Sequence, residues 1–406
     1  MSPHLPVETI ETHSCSSVLR RVEGPFACEL FFSCQPHGEA VDAGQQAEAV
    51  YRAILGVLAA AGGGFASVVS ETLFLRSLQE DLEPVRVARG RVLAECEAPS
   101  HRPATTEIEQ LPLNERASLE VSIQAVVPNE APLQLEAFEA RTTCSCSECA
   151  RSHALRVRLG DETRLYAGGL HGRGDNAYEQ TLAMFGVAEN LLQQAGMDFR
   201  DVVRTWIYLR DMERDYEALN RARREFFRAR RIDPAPASTG IGATPVPAEH
   251  DLCLGVYAVR DGAAPKRIRM TTPTLNEAPS YGSDFSRGLR MLEANKVALH
   301  VSGTASIDEA GSTVHLADFE AQADRMLVNV AKLLEGQGAT FGDIVSAVTY
   351  LKDPKDADRL RVKLQEAGFE GFPNVLVAAP VCRPELLCET EALAVLPKPA
   401  RSNEAG

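Results

Sequence analysis

The chain has 406 residues, 45% of them hydrophobic, and its 42 Lys and Arg against 56 Asp and Glu give a formal net charge of -14. That length fits about two to four domains with real cores, and the negative balance argues against a nucleic-acid face, which needs a positive field. No basic segment leads into an apolar core at the N-terminus, and no apolar run approaches the ~18 residues of a membrane span. A soluble cytoplasmic protein is expected, without nucleic-acid or membrane partners.

Sliding the chain against itself exposes three blocks. Gln46, Gln180 and Gln322 each stand 19 residues before Phe65, Phe199 and Phe341. A hydrophobic pair follows each phenylalanine, and Phe74, Tyr208 and Tyr350 come nine residues after it, each with a leucine behind. In the first block Ala49 to Ala61 has apolar residues three and four apart and is predicted helical, and Leu119 to Val127 is a closing strand. Polar sequence from Pro128 to Ala140 marks the first boundary.

Cys144, Cys146, Cys149 and His153 follow, a C-x-C-x2-C-x3-H cluster compact enough to wrap tetrahedral zinc. The spacing is not that of a common finger, no glycine or proline shapes a knuckle, and the alternating Leu155 to Leu159 predicts a strand that draws His153 away. The expectation is a reduced linker without metal, and no cofactor is called for. In a chain without an export signal, the ten cysteines are expected as thiols, with Cys15, Cys28, Cys34, Cys96 and Cys253 as small core or surface residues.

The second block has a helix over Ala183 to Gln194 that stops at Gly196, then a β-branched, aromatic strand, Val203 to Leu209. Arg214 to Arg230 reads as its second helix, with the basic run Arg221 to Arg231 as a solvated face, and Leu252 to Val259 closes the block. Asp261 to Ser280, with Pro265, Pro273 and Pro279, is the second boundary. The third block repeats the order with a helix over Ala323 to Leu334 and a closing strand over Leu387 to Val395. Each unit is therefore strand, strand, helix, strand, helix, strand, an α+β sheet with helices on one face. Three such units, 8–135, 154–262 and 272–398, are expected to fold alike around a pseudo-threefold axis.

The closing segment of the third block, Cys382-Arg383-Pro384-Glu385-Leu386-Leu387-Cys388-Glu389-Thr390-Glu391, carries the chemistry. Glu389 and Glu391, two apart on a strand, point to one face. Aligned with Val121 and Ile123 in the first block and Leu254 and Val256 in the second, they fall at positions that are apolar in both sister copies, which predicts burial. Burial and a neighbouring negative charge both favour the protonated carboxyl that a general acid needs at neutral pH. Arg383 offers a two-pronged guanidinium to a substrate carboxylate, with Arg287 as a second candidate. Tyr281, Ser302 and Thr304 are candidate hydrogen-bond donors, and Cys382 is either a pocket residue or a small packed one. The bland alternative is a buried glutamate pair satisfied by Arg383 alone.

The unit order, the helix ending in Ala195-Gly196, the strand Asp201 to Leu209 and the closing Glu389-Thr390-Glu391-Ala392 resemble the YjgF/RidA superfamily. That resemblance implies a trimer of such units, here built within one chain. Over roughly residues 160 to 396 the chain looks most like the chorismatase branch, through Pro236 to Gly242, Phe285-Ser286-Arg287 with Tyr281, Ser302-Gly303-Thr304-Ala305-Ser306, Gln322, Asn329, and Cys382-Arg383 leading to Glu389. The resemblance implies an enzyme, hydrolase or lyase, that releases pyruvate from the enolpyruvyl ether of chorismate or a related small anionic metabolite, with Gly303 in the substrate site and Glu389 as acid. The alternatives are an imine deaminase of the RidA kind and a non-catalytic ligand-binding protein. Deaminases of that kind carry an arginine two residues after the proline of a Phe-Pro strand, whereas Phe372-Pro373 is followed here by Asn374 and Val375. A monomer or low-order homo-oligomer is expected.

Overall fold

The computed structural model describes residues 7–12, 14–37, 42–130, 133–139, 146, 153–261, 267–276 and 284–398. The first unit runs β1 (Val7–Glu11), β2 (Cys15–Glu23), β3 (Ala27–Pro36), α1 (Ala43–Ala60), β4 (Val68–Leu75), α2 (Leu78–Ala94), β5 (Ala104–Glu109), β6 (Leu111–Pro112) and β7 (Leu119–Pro128), and is followed by β8 (Gln134–Glu139). The second runs β9 (His153–Leu159), β10 (Glu162–Leu170), α3 (Ala177–Gln194), β11 (Val202–Leu209), α4 (Met212–Arg230), β12 (Ala237–Gly242), β13 (Thr244–Pro245) and β14 (Leu252–Arg260). The third runs β15 (Arg267–Met270), β16 (Gly288–Leu292), β17 (Lys296–Ala305), α5 (Phe319–Glu335), β18 (Ile344–Leu351), α6 (Ala357–Glu366), β19 (Asn374–Ala378) and β20 (Cys388–Pro397).

Three mixed sheets result, with shared cores β3-β7-β4-β5, β10-β14-β11-β12 and β17-β20-β18-β19. Each unit carries, after its second helix, a strand that the periodicity does not predict. After the second helix, β5, β12 and β19 return parallel to β4, β11 and β18. Ala104-Thr-Thr-Glu-Ile-Glu and Ala237-Ser-Thr-Gly-Ile-Gly are short and of mixed polarity, so the crossover over the helix, rather than a pattern of their own, makes them strands. Near the unit boundaries β8 pairs with β9 in the second sheet, and β15 pairs with β16 in the third.

The repeated glutamine has a structural reason. Gln46, Gln180 and Gln322 sit in the first turns of α1, α3 and α5, where Asp42, Asn176 and Asp318 cap the helix by accepting from the backbone N–H three residues on. Each glutamine Oε1 accepts from the N–H of the residue just before the closing strand: Ser118 at 2.7 Å, Asp251 at 2.9 Å and Leu387 at 2.9 Å. The helix thereby fixes where β7, β14 and β20 start. Those strands turn one set of alternate residues toward the helices, such as Leu254, Val256 and Ala258 against Phe185, Leu191 and Phe226.

The other sheet faces turn toward one another and close a ring. The first unit meets the second along β5 and β10, the second meets the third where β12 packs on β17, and the third meets the first through β18 and the β19–β6 pairing. At one end of the ring the fully buried Arg164 joins all three units, with Glu29 at 2.8 Å, Glu162 at 2.6 Å and Glu293 at 2.9 Å. Lys296 also reaches Glu29 and Glu293, so it is the loss of Arg164, shared by three carboxylates, that would strand buried charge, at a cost of about 3–5 kcal/mol.

Candidate active site

A cavity of about 760 Å³ opens between the second and third units, roofed by α4 and floored by β12, β17 and the approach to β20. Tyr216, Asn220 and Arg223 reach it from one face of α4, at helical spacing. Ser238 and Gly240 come from β12, Phe285 and Arg287 from the run into β16, Gly303 from β17, and Cys382 and Arg383 from the segment before β20. Glu389 lies at its floor, 4% exposed.

The Glu389 carboxyl is pushed up to about 8, first by burial and then by Glu391, with Arg287 and Arg204 pulling the other way. It is therefore largely protonated at neutral pH. Gly303 faces it across the β17–β20 pairing, and a Cβ added there would run into the carboxyl. The same backbone N–H of Gly303 donates to Thr239 Oγ1 at 3.0 Å, and Arg204 donates to that oxygen at 2.5 Å. Glu391 is handled differently, although it shares the face. It accepts from Arg204 Nη2 at 2.8 Å and Trp206 Nε1 at 2.7 Å, both on β11 of the middle unit. Glu391 is thus held in an ion pair, whereas Glu389 faces the cavity.

Arginines dominate the walls. Arg223 is buried, donates to Asn220 Oδ1 at 2.5 Å and packs over Phe285. Arg287 is buried too, donating to the carbonyl and side-chain oxygens of Asn276 at 3.0 and 3.1 Å. Arg383 donates to the carbonyl of Gly311 at 2.8 Å, and Arg221 and Arg224 stand at the α4 side. Glu213 and Glu217 line the same wall. With Glu389 protonated, the cavity is electropositive within an acidic protein.

Several sequence expectations change. The strand register pairs Tyr350 with Glu389, Tyr208 with Cys253 and Phe74 with Glu120. It likewise sets Glu391 opposite Val348, Gly255 opposite Trp206 and Ser122 opposite Thr72. The counterparts of Glu389 and Glu391 are therefore Glu120 and Ser122, and Cys253 and Gly255; Val121, Ile123, Leu254 and Val256 point to the opposite, helix-covered face. A one-residue slip on a strand changes face. Burial of both glutamates is observed, but Arg204, not Arg383, satisfies Glu391.

The Ser302 hydroxyl donates to the Ser286 carbonyl at 2.6 Å and accepts from Ser238 N–H, tying the units together, and Thr304 donates to the Ser302 carbonyl. Neither lines the cavity. The basic run of α4 is not wholly a solvated face, since Arg223 is only 3% exposed. Cys382 lines the cavity, its thiol pushed up to about 12 by burial and by Glu389, which keeps it a thiol. Tyr281, Cys144 and Cys149 lie outside the described residues. Sequence reasoning missed Arg204, Tyr216, Asn220 and Arg223; the spacing of the last three along one face of α4 was the available signal.

A helix-covered mixed sheet, repeated three times in one chain with a cavity between the second and third copies, defines an internal trimer of α+β units. The family model described as Endoribonuclease L-PSP matches residues 164–259 and 276–396, more than half of the chain. The chain belongs to that family, the YjgF/RidA superfamily. A RutC family protein of Saccharolobus solfataricus is 29% identical over 107 residues, 26% of this chain and 81% of that protein. Another, of Pyrococcus abyssi, is 32% identical over 98 residues, 24% of this chain and 76% of that protein. Among solved structures, a chorismatase shares the fold with a TM-score of 0.60 at 18% identity, over 81% of this chain and 93% of that one. No described helix is long and apolar enough to cross a membrane.

Proposed function

We propose that this protein cleaves the enolpyruvyl ether of chorismate or a closely related small dianion, releasing pyruvate. The observation that carries the reading is a protonated carboxyl, Glu389, at the floor of an arginine-walled cavity. Arg383, Arg287 and Arg223 are the groups placed to take the substrate carboxylates, holding the enol ether above Glu389. Glu389 protonates the methylene carbon, and the positive charge moves to the ether-bearing carbon as an oxocarbenium. Water adds there and returns a proton to Glu389, and the hemiketal collapses to pyruvate and the ring alcohol. Glu391, held by Arg204 and Trp206, raises the proton affinity of Glu389 without taking part. The solved chorismatase with this fold supports the substrate class.

Incubation with chorismate should yield pyruvate and a hydroxylated ring acid, resolved by coupled lactate dehydrogenase assay and mass spectrometry. Glu389→Gln should lower kcat by roughly 10² to 10⁴, the contribution of a positioned general acid. Full activity in that variant would end the proposed role. A wild type that ignores chorismate but hydrolyses 2-iminopropanoate would make it a deaminase, and one that binds chorismate without turnover a ligand-binding member of the family.

A further inference from the structure

Of the cysteine cluster between the first and second units, Cys146 and His153 are described, and they face different partners. His153, at the start of β9, points its Nε2 to the carbonyls of Arg102 and Pro103, each 3.0 Å away. Cys146 meets other partners. Its Sγ lies 3.4 Å from Nε2 of His171, just after β10, and the His171 ring lies 4.4 Å from that of His250, just before β14, tilted 46° to it. One ligand atom from each of the three residues lies within 4.8 Å of the others. Both histidines are buried, at 1% and 7% exposure, and Cys146 is half-buried.

The surroundings orient these groups. Nδ1 of His171 is 3.2 Å from the carbonyl of Gly169 and donates to it, which makes Nε2 the nitrogen presented to Cys146. His250 hydrogen-bonds to the backbone of Gly172. A backbone partner on the far ring nitrogen is how metal-bound histidines are commonly held. Around a tetrahedral zinc with bonds of about 2.3 Å to sulfur and about 2.0–2.1 Å to nitrogen, ligand atoms stand roughly 3.3–3.6 Å apart. The Cys146–His171 separation already has that value, and the widest gap must close by about 1 Å. Thiolate with imidazole selects zinc or a similar borderline-soft divalent ion over magnesium or calcium.

We propose that Cys146, His171 and His250 bind one zinc-class ion, which clamps the segment joining the first two units onto the second. The ligands come from three separated stretches of sequence, so the ion would tie the connector to the end of the β10–β14 strand pair where β10 finishes and β14 begins. The clamp is independent of Glu389 and its cavity.

The test is elemental analysis of tag-free protein purified without chelator, with cobalt(II) substitution as the second readout. Wild type should hold one zinc per chain, and the cobalt form should show thiolate-to-metal charge transfer in the near ultraviolet. Cys146→Ser should abolish that band and lower zinc affinity at least tenfold, while His153→Ala should keep both. His171→Ala with His250→Ala should hold no zinc; should that variant not fold, Cys146→Ser alone decides, its integrity checked by circular dichroism. Metal-free wild type that gives no cobalt band on titration overturns the proposal. So does zinc held with unchanged affinity in Cys146→Ser, or lost in His153→Ala but kept in His250→Ala.

Discussion

Arg204 of the middle unit and Glu391 of the last form a buried 2.8 Å ion pair, although 187 residues separate them in sequence. The pair stands beside Glu389, raising its proton affinity through Glu391 and lowering it through Arg204. Replacing Arg204 by Met leaves Glu391 a buried charge without its cation, a loss of about 3–5 kcal/mol. Chemical denaturation should show that drop. Glu391→Gln removes the repulsion instead, and should move the basic limb of the pH–rate profile to lower pH while leaving KM less affected than that limb. An unmoved limb would detach Glu391 from the acid.

The pH dependence of wild type follows from the acid itself. Glu389 is active when protonated and titrates at about 8, so kcat/KM should be level toward neutrality and fall above pH about 8, roughly tenfold per pH unit. In Glu389→Gln the residual rate should cross the same range without that fall. A basic limb that survives the substitution would belong to another group.

The fold was legible because a physical contact repeats. A glutamine that pins the start of the closing strand must recur at a fixed distance from the turn after its helix, and Gln46, Gln180 and Gln322 do so. The site was half legible. Glu389, Arg383 and Cys382 sit in one short segment, but Arg204, Tyr216, Asn220 and Arg223 arrive from another unit, and no local pattern links them to that segment. The alignment slip has a cause of its own. Leu252-Cys253-Leu254-Gly255-Val256 is buried on both faces, so apolarity does not tell odd from even positions; only the pairing with β11 does. Matching glutamates to the nearest apolar residues hid the carboxyl at Glu120.

That carboxyl gives a stability prediction. Glu120 stands where Glu389 stands, opposite Phe74, and burial pushes it up to about 8. The group is neutral in folded and unfolded chains at low pH. Between its unfolded value near 4.5 and about 8, only the unfolded chain ionises, so this residue costs stability progressively as pH rises and fully above about 8. Glu120→Gln should therefore gain on wild type with rising pH, by a few kcal/mol at pH 9, and match it near pH 4. Thermal melts at both values measure this, and a constant difference would mean that Glu120 is not buried as a neutral acid.

Gly303 separates positioning from folding. Its backbone is not in the left-handed region, so alanine is tolerated by the chain itself, but the added Cβ meets the Glu389 carboxyl on one side and the Thr239 methyl at 3.1 Å on the other. The nearest atoms are the end of a side chain that can swing away, so the fold yields little and the acid moves. A displacement of about 1 Å from the reacting carbon is enough to cost on the order of 10²-fold in rate. Gly303→Ala should thus keep the melting temperature within a few degrees of wild type while kcat for pyruvate release falls at least tenfold. Retained activity at normal stability would show that Glu389 reaches the substrate from a position that Gly303 does not control.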